Sequence, residues 1–127
     1  MHDARIGVDL VDAQAFEARF VGREDALIEV FTEAELAYCR HQRRPWTHLA
    51  ARLAAKEALL KALRTGLSGQ MRWRDIEVVR DSAGAPGLVV TGAVADVLRA
   101  KRVSAHSVSL SHTATHAIAV VLVVPDE

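Results

Sequence analysis

Asp9 lies two positions after Gly7 in the alternating run Ile6-Gly7-Val8-Asp9-Leu10-Val11, on the strand face opposite Ile6, Val8 and Leu10. Gly7 has no side chain, which leaves room for a ligand or a second backbone, so the Asp9 carboxylate could point into a cleft. The plainer alternative is a solvated aspartate on the open face of an edge strand. Glu57 falls four residues after Leu53 and three before Leu60, beside the apolar stripe of a helix rather than on its wet face. An ionised carboxylate there must be paired or metal-bound, and Lys61, four residues on, offers the simplest pairing. Arg52, Lys56 and Lys61 occupy the same helix, close to the glycines of Arg64-Thr65-Gly66-Leu67-Ser68-Gly69. Cations with exposed backbone donors suit a polyanion, phosphate above all, although basic residues before a glycine also mark an ordinary helix end.

His112 and His116 are four apart in a stretch read as extended, where that spacing does not bring two rings to one metal, and no third ligand is evident, so zinc is discounted. There is no nucleophile elbow, phosphate-binding loop or dinucleotide fingerprint. The serines at 107, 109 and 111 read as the polar side of a strand, not as parts of a hydrolase triad.

The elements that must position these groups follow from periodicity. Residues 6–11 are read as a strand with one face in the core. From Ala13 to about Gln42 the composition is helical, with Gly22 as a break and Thr32-Glu33-Ala34-Glu35 as a capping box. Pro45 suits a first turn, and Thr47 to Leu63 forms a long helix with Leu49, Leu53, Leu60 and Leu63 on one stripe, stopped by Gly66 and Gly69. Ile76 to Arg80 and Gly87 to Thr91 flank the turn sequence Asp81-Ser82-Ala83-Gly84-Ala85-Pro86 and read as a hairpin. A helix over Ala93 to Lys101 precedes two strands, Ser107 to His112 and Ala117 to Val124. This order predicts an α+β fold in a single domain over 1–127, with an antiparallel sheet packed against a long central helix.

Composition bounds the function. The 127 residues are 50% hydrophobic and 25% charged, enough for one core without staples. Sixteen basic residues balance sixteen acidic ones, so no net field draws nucleic acid. Cys39 is the sole cysteine, which excludes an intramolecular disulfide and fits a reducing compartment. Met1-His2-Asp3-Ala4-Arg5 opens without a leader pattern, and the apolar run 117–124 is too short to span a bilayer, so a soluble cytoplasmic protein with no membrane partner is expected.

Four segments together resemble the short holo-acyl-carrier-protein synthases of the 4'-phosphopantetheinyl transferase superfamily. They are Gly7-Val8-Asp9-Leu10, Phe31-Thr32-Glu33-Ala34-Glu35-Leu36, the helix Arg52 to Ala62, and Val108-Ser109-Leu110-Ser111-His112-Thr113. The resemblance spans nearly the whole chain. It implies transfer of the phosphopantetheine arm of coenzyme A to a serine of an apo acyl or peptidyl carrier protein, with release of adenosine 3',5'-bisphosphate. It further implies Asp9 and Glu57 as Mg2+ ligands, Glu57 and Lys61 as catalytic groups, and Arg52, Lys56, Gly66, Pro86, His112 and Thr113 as coenzyme A contacts. A homotrimer with sites at subunit interfaces is implied as well. Two departures stand out: Asp12-Ala13-Gln14-Ala15-Phe16 lacks the basic residue expected where an acidic carrier helix docks, and Leu53 replaces an aromatic. Arg19, Arg23, Arg40, Arg43 and Arg44 could supply the missing basic surface. Two other readings are a coenzyme A-binding module that has lost transfer, and an interaction domain that uses the Ala/Leu-rich helix as an oligomer interface.

Overall fold

The computed structural model describes residues 3–126; Met1 and His2, part of the leader reading above, and Glu127 lie outside them. In chain order the elements are β1 (Arg5–Asp12), α1 (Ala13–Phe20), α2 (Glu24–Val30), α3 (Glu33–Arg40), α4 (Pro45–Ala62), a 3-10 turn (Trp73–Asp75), β2 (Ile76–Arg80), β3 (Pro86–Val90), α5 (Gly92–Ala100), β4 (Val103–His112) and β5 (His116–Pro125). β1, β5 and β4 form an antiparallel sheet in that order, with β1 on an edge, and β2 pairs with β3 in a separate antiparallel hairpin. The fold is α+β, as the element order predicts.

The helix starts follow local chemistry. Asp12 caps α1 by accepting from the amides of Gln14 and Ala15 at 3.0 Å each, which holds its carboxyl below the usual carboxylate range. Thr32 and Glu35 close the predicted capping box of α3. Pro45 opens α4 as the first-turn proline that the sequence predicts, two residues before Thr47. The stop of α4 differs from expectation. Arg64, at φ 59, supplies the left-handed residue, while Arg64 and Thr65 amides return to the carbonyls of Lys61 and Leu60. Gly66 and Gly69 lie downstream in an exposed loop.

α4 is the centre of the molecule. Ala54, Ala55, Ala58 and Ala62 are fully buried, as are Leu59 and Leu63, so the helix is covered on nearly all sides. That burial removes the reading of α4 as an exposed oligomer interface. One core joins α4 to β5, the hairpin and α5; a second packs Phe16, Phe20, Phe31 and Leu49 around its first turns.

The phase of β1 corrects the sequence reading. The strand alternates as predicted, but Ile6, Val8 and Leu10 are 67%, 51% and 62% exposed, whereas Gly7 is buried. The cause is the contact with α4: a Cβ on Gly7 would lie 1.9 Å from the Ala58 carbonyl oxygen and 2.7 Å from the Ala62 amide nitrogen. Only a glycine permits this approach, so Gly7 fixes which face meets the helix. Asp9, on the same face, is thereby aimed at α4 instead of at solvent.

Candidate active site

Asp9 and α4 form an acidic corner. The Asp9 side chain is 12% exposed, and its Oδ1 accepts from Lys61 Nζ at 2.9 Å across 52 positions of sequence. Lys61 also donates to the Val8 carbonyl at 3.1 Å, so its partners are on β1 and the expected surface pair with Glu57 gives way to a tie between helix and strand. Asp9 Oδ2 is buried and has no hydrogen-bond donor. Glu57, half-buried, faces the same carboxylate: burial first, then the hydrogen bond and charge of Asp9, push its pKa up to about 7. A proton on Glu57 serves Asp9 only when Glu57 is neutral. Two acidic groups with one unserved oxygen are the setting that a hard divalent cation relieves. Among the described residues no third metal-ligating side chain joins them, so the remaining ligands would be water and substrate oxygens, as Mg2+ prefers. The donor set therefore fits Mg2+. Beside it lies a cleft of about 290 Å³ lined in part by Leu10, Phe16, Arg19, Leu53 and Glu57.

A basic corner occupies the face of α4 nearer its start, with Arg52 about 7.5 Å along the axis from Glu57 at 1.5 Å per residue. Arg52 is 2% exposed; its guanidinium carbon lies 4.4 Å from the Tyr38 ring centroid, and its Nε has no hydrogen-bond partner. The Arg80 guanidinium sits 5.4 Å from the same ring. His48 meets Tyr38 edge-on at 6.1 Å and His112 at 5.0 Å between centroids. Burial, then the positive neighbours His112, Arg52 and Arg80, lower the His48 pKa. A cleft of about 490 Å³ opens beside this cluster, lined by Gln42, Arg43, Arg44, His48, His112 and Thr113. Buried guanidinium with a free donor, a second arginine and two imidazoles suit an anion with several oxygens.

The structure thus joins Asp9, Glu57 and Lys61 in one corner and Arg52, His112 and Thr113 in the other. Pro86 begins β3 directly opposite Arg80 in the hairpin register. Gly66 sits in the exposed loop past Lys61 at the far end of α4. Lys56 stands apart from the expected coenzyme A contacts: its ammonium is fully buried and donates to Val30 O, Glu35 Oε1 and Trp73 O, leaving no proton for a phosphate. His116 turns away from His112 towards Asp12, 4.0 Å distant. Sequence reasoning missed Tyr38, His48 and Arg80. Tyr38 and His48 each lie on a helix turn that the sequence does not relate to the other, and Arg80 reads as an ordinary strand residue beside a turn.

A profile of the 4'-phosphopantetheinyl transferase superfamily matches residues 5–121. The chain belongs to this superfamily. Among its relatives, the holo-[acyl-carrier-protein] synthase of Moorella thermoacetica is 41% identical over 117 residues, covering 92% of this chain and 91% of the relative. That of Geotalea daltonii is 40% identical over 118 residues, 91% of this chain and 94% of the relative. The fold also aligns with a solved ACPS–CoA complex from Chronobacterium ammoniagenes, with TM-score 0.86, 28% identity and coverage of 98% and 99% of the two chains. The Neisseria meningitidis holo-[acyl-carrier-protein] synthase aligns at TM-score 0.83 and 29% identity, over 94% of this chain and 96% of that one.

Proposed function

We propose that the protein transfers the 4'-phosphopantetheine group of coenzyme A to a serine of an apo acyl or peptidyl carrier protein, releasing adenosine 3',5'-bisphosphate in an Mg2+-dependent reaction. The observation that carries this reading is the meeting of Asp9 and Glu57 on one side of α4, with Lys61 beside them and Arg52 further along the helix. In the reaction the serine Oγ bonds to the β-phosphorus, and the bond from that phosphorus to the bridging oxygen breaks. Asp9 and Glu57 would hold the Mg2+, which when bound would supply Lewis-acid polarisation of the pyrophosphate and charge stabilisation for the departing phosphate. Lys61 places a positive charge beside the oxygens that gain charge. The serine proton passes to Glu57 or to water; the raised Glu57 pKa suits a base near neutrality, while a neighbouring cation weakens it. Arg52, His112 and Thr113 grip the nucleotide's 3'-phosphate, with Arg80, Pro86 and the Gly66 loop as further contacts.

The outer face of the sheet supports self-association, for which a homotrimer is the proposed state. Ile6, Val8 and Leu10 stand in register with Leu122, Val120 and Ile118, a continuous apolar surface that the chain itself does not cover. For the carrier, Arg40 is already tied bidentately to Glu24 and Arg23 stands 3.8 Å from Asp25. Arg19 at the rim of the acidic cleft and Arg43 and Arg44 at the basic one remain to meet an acidic helix. No helix among the described residues is long and apolar enough to cross a membrane, and the cytoplasm, where carrier proteins and coenzyme A meet, is the proposed location.

The test incubates the protein with coenzyme A, Mg2+ and several apo carriers and reads the carrier mass. A gain of one phosphopantetheine group is expected, and Asp9→Ala and Glu57→Ala should each abolish it while the fold persists. No gain on any carrier, together with tight coenzyme A binding, would instead identify a binding module that has lost transfer.

A further inference from the structure

The most completely buried ion pair among the described residues lies outside both corners. Lys56 and Glu35 side chains are each 0% exposed, with Nζ 2.8 Å from Oε1. Every strong valence is filled: Lys56 also donates to Val30 O at 2.8 Å and Trp73 O at 3.2 Å, and Glu35 also accepts from the Thr32 amide at 3.0 Å and the Val78 amide at 3.0 Å. Thr32 in turn donates its hydroxyl to Glu77 at 2.5 Å. Burying two charges is expensive, and the pair offsets that cost in part by serving four backbone groups, the Val30 and Trp73 carbonyls and the Thr32 and Val78 amides, so it ties distant segments together as well as neutralising itself. Of the elements the pair joins, three carry a member of the basic corner a few residues away. Tyr38 is one turn beyond Glu35 on α3, Arg80 is two residues beyond Val78 on β2, and Arg52 is one turn before Lys56 on α4.

We infer that Glu35 is a positioning residue for coenzyme A: through Lys56 and the Val78 amide it sets the mutual register of α3, β2 and α4 on which the Arg52–Tyr38–Arg80 stack depends. This rests on the reading above that the stack holds the nucleotide phosphate. Glu35 touches no substrate; its effect passes through the two arginines.

The test compares wild type, Glu35→Gln and the double variant Glu35→Met/Lys56→Met, using steady-state kinetics with coenzyme A and with 3'-dephospho-coenzyme A at a temperature below all three melting points. The double variant removes both charges but leaves the Val30 and Trp73 carbonyls and the Thr32 and Val78 amides unpaired, so it should melt below wild type, and the kinetics are read on the folded protein. Wild type should favour coenzyme A through KM. Both variants should raise KM for coenzyme A about tenfold, the effect of one mis-set charge-assisted contact, and lose the preference, with kcat changed much less. A folded double variant with the wild-type KM and preference would overturn the inference and leave the pair a purely structural one. If wild type itself shows no preference for the 3'-phosphate, the phosphate reading of the stack fails first. If wild type shows it and Glu35→Gln keeps it, Glu35 is not a positioning residue.

Discussion

Replacing Gly7 by alanine tests how backbone packing creates the acidic corner. The added Cβ would lie 1.9 Å from the Ala58 carbonyl oxygen, a backbone atom in the middle of α4 that no side-chain rotation can move aside. A relaxed carbon–oxygen contact is roughly 3.3 Å, so β1 and α4 must part by about 1.4 Å. Overpacking of this kind costs about 3 kcal/mol or more. For a chain of this size that corresponds to a fall in melting temperature on the order of 12 °C. Asp9 rides on β1 two residues away, and its tie to Lys61 at 2.9 Å cannot survive such a separation unchanged. A displacement near 1 Å at a reacting centre costs about 100-fold in rate. Circular dichroism melts and carrier-mass kinetics at 15 °C check both effects. A Gly7→Ala protein with the wild-type melting point would refute the packing argument. One that melts lower yet transfers at the wild-type rate while folded would refute the link from packing to catalysis.

Three other outcomes are expected. With a chelator present, Glu57 keeps its proton in the folded state up to about 7 but only to its ordinary value of 4.5 when unfolded. The folded state therefore binds more protons between those values, so stability should fall as pH rises through that window; denaturant titrations should show this fall in wild type and its loss in Glu57→Gln. Leu10→Glu places a charge in the exposed row Leu10–Ile118, and sedimentation should shift from the proposed trimer to monomer with loss of transfer; an unchanged sedimentation coefficient would remove the proposed interface. Cys39 is fully buried and burial pushes its thiol up to about 11, so a disulfide reagent at pH 8 should label it only after denaturant is added.

The sequence makes some helix starts legible because they carry local chemistry, as at Thr32 and Pro45, whereas the stop of α4 at Arg64 and the cap at Asp12 are not anticipated by the sequence reading. It makes Asp9 and Glu57 legible as chemically awkward residues. What it conceals is the outcome of tertiary contact. Ile6, Val8 and Leu10 outweigh Gly7 in hydrophobicity, yet the narrow gap to Ala58 chooses the face, and no periodicity shows that gap. Lys56 reads like its neighbours Arg52 and Lys61, and only the fold shows that its acceptors come from Val30, Glu35 and Trp73, distant in sequence. Tyr38 and Arg80 carry no motif at all. Their importance is a property of the surface on which Arg52 meets them.

Divalent-ion binding in the presence of coenzyme A is the most direct measurement, made by calorimetry on wild type, Asp9→Asn and Glu57→Gln. The expected result is one ion per site in wild type and a loss of at least about tenfold in affinity in each variant, since each removes an anionic ligand. Equal affinity in all three proteins would contradict a shared site between these carboxylates.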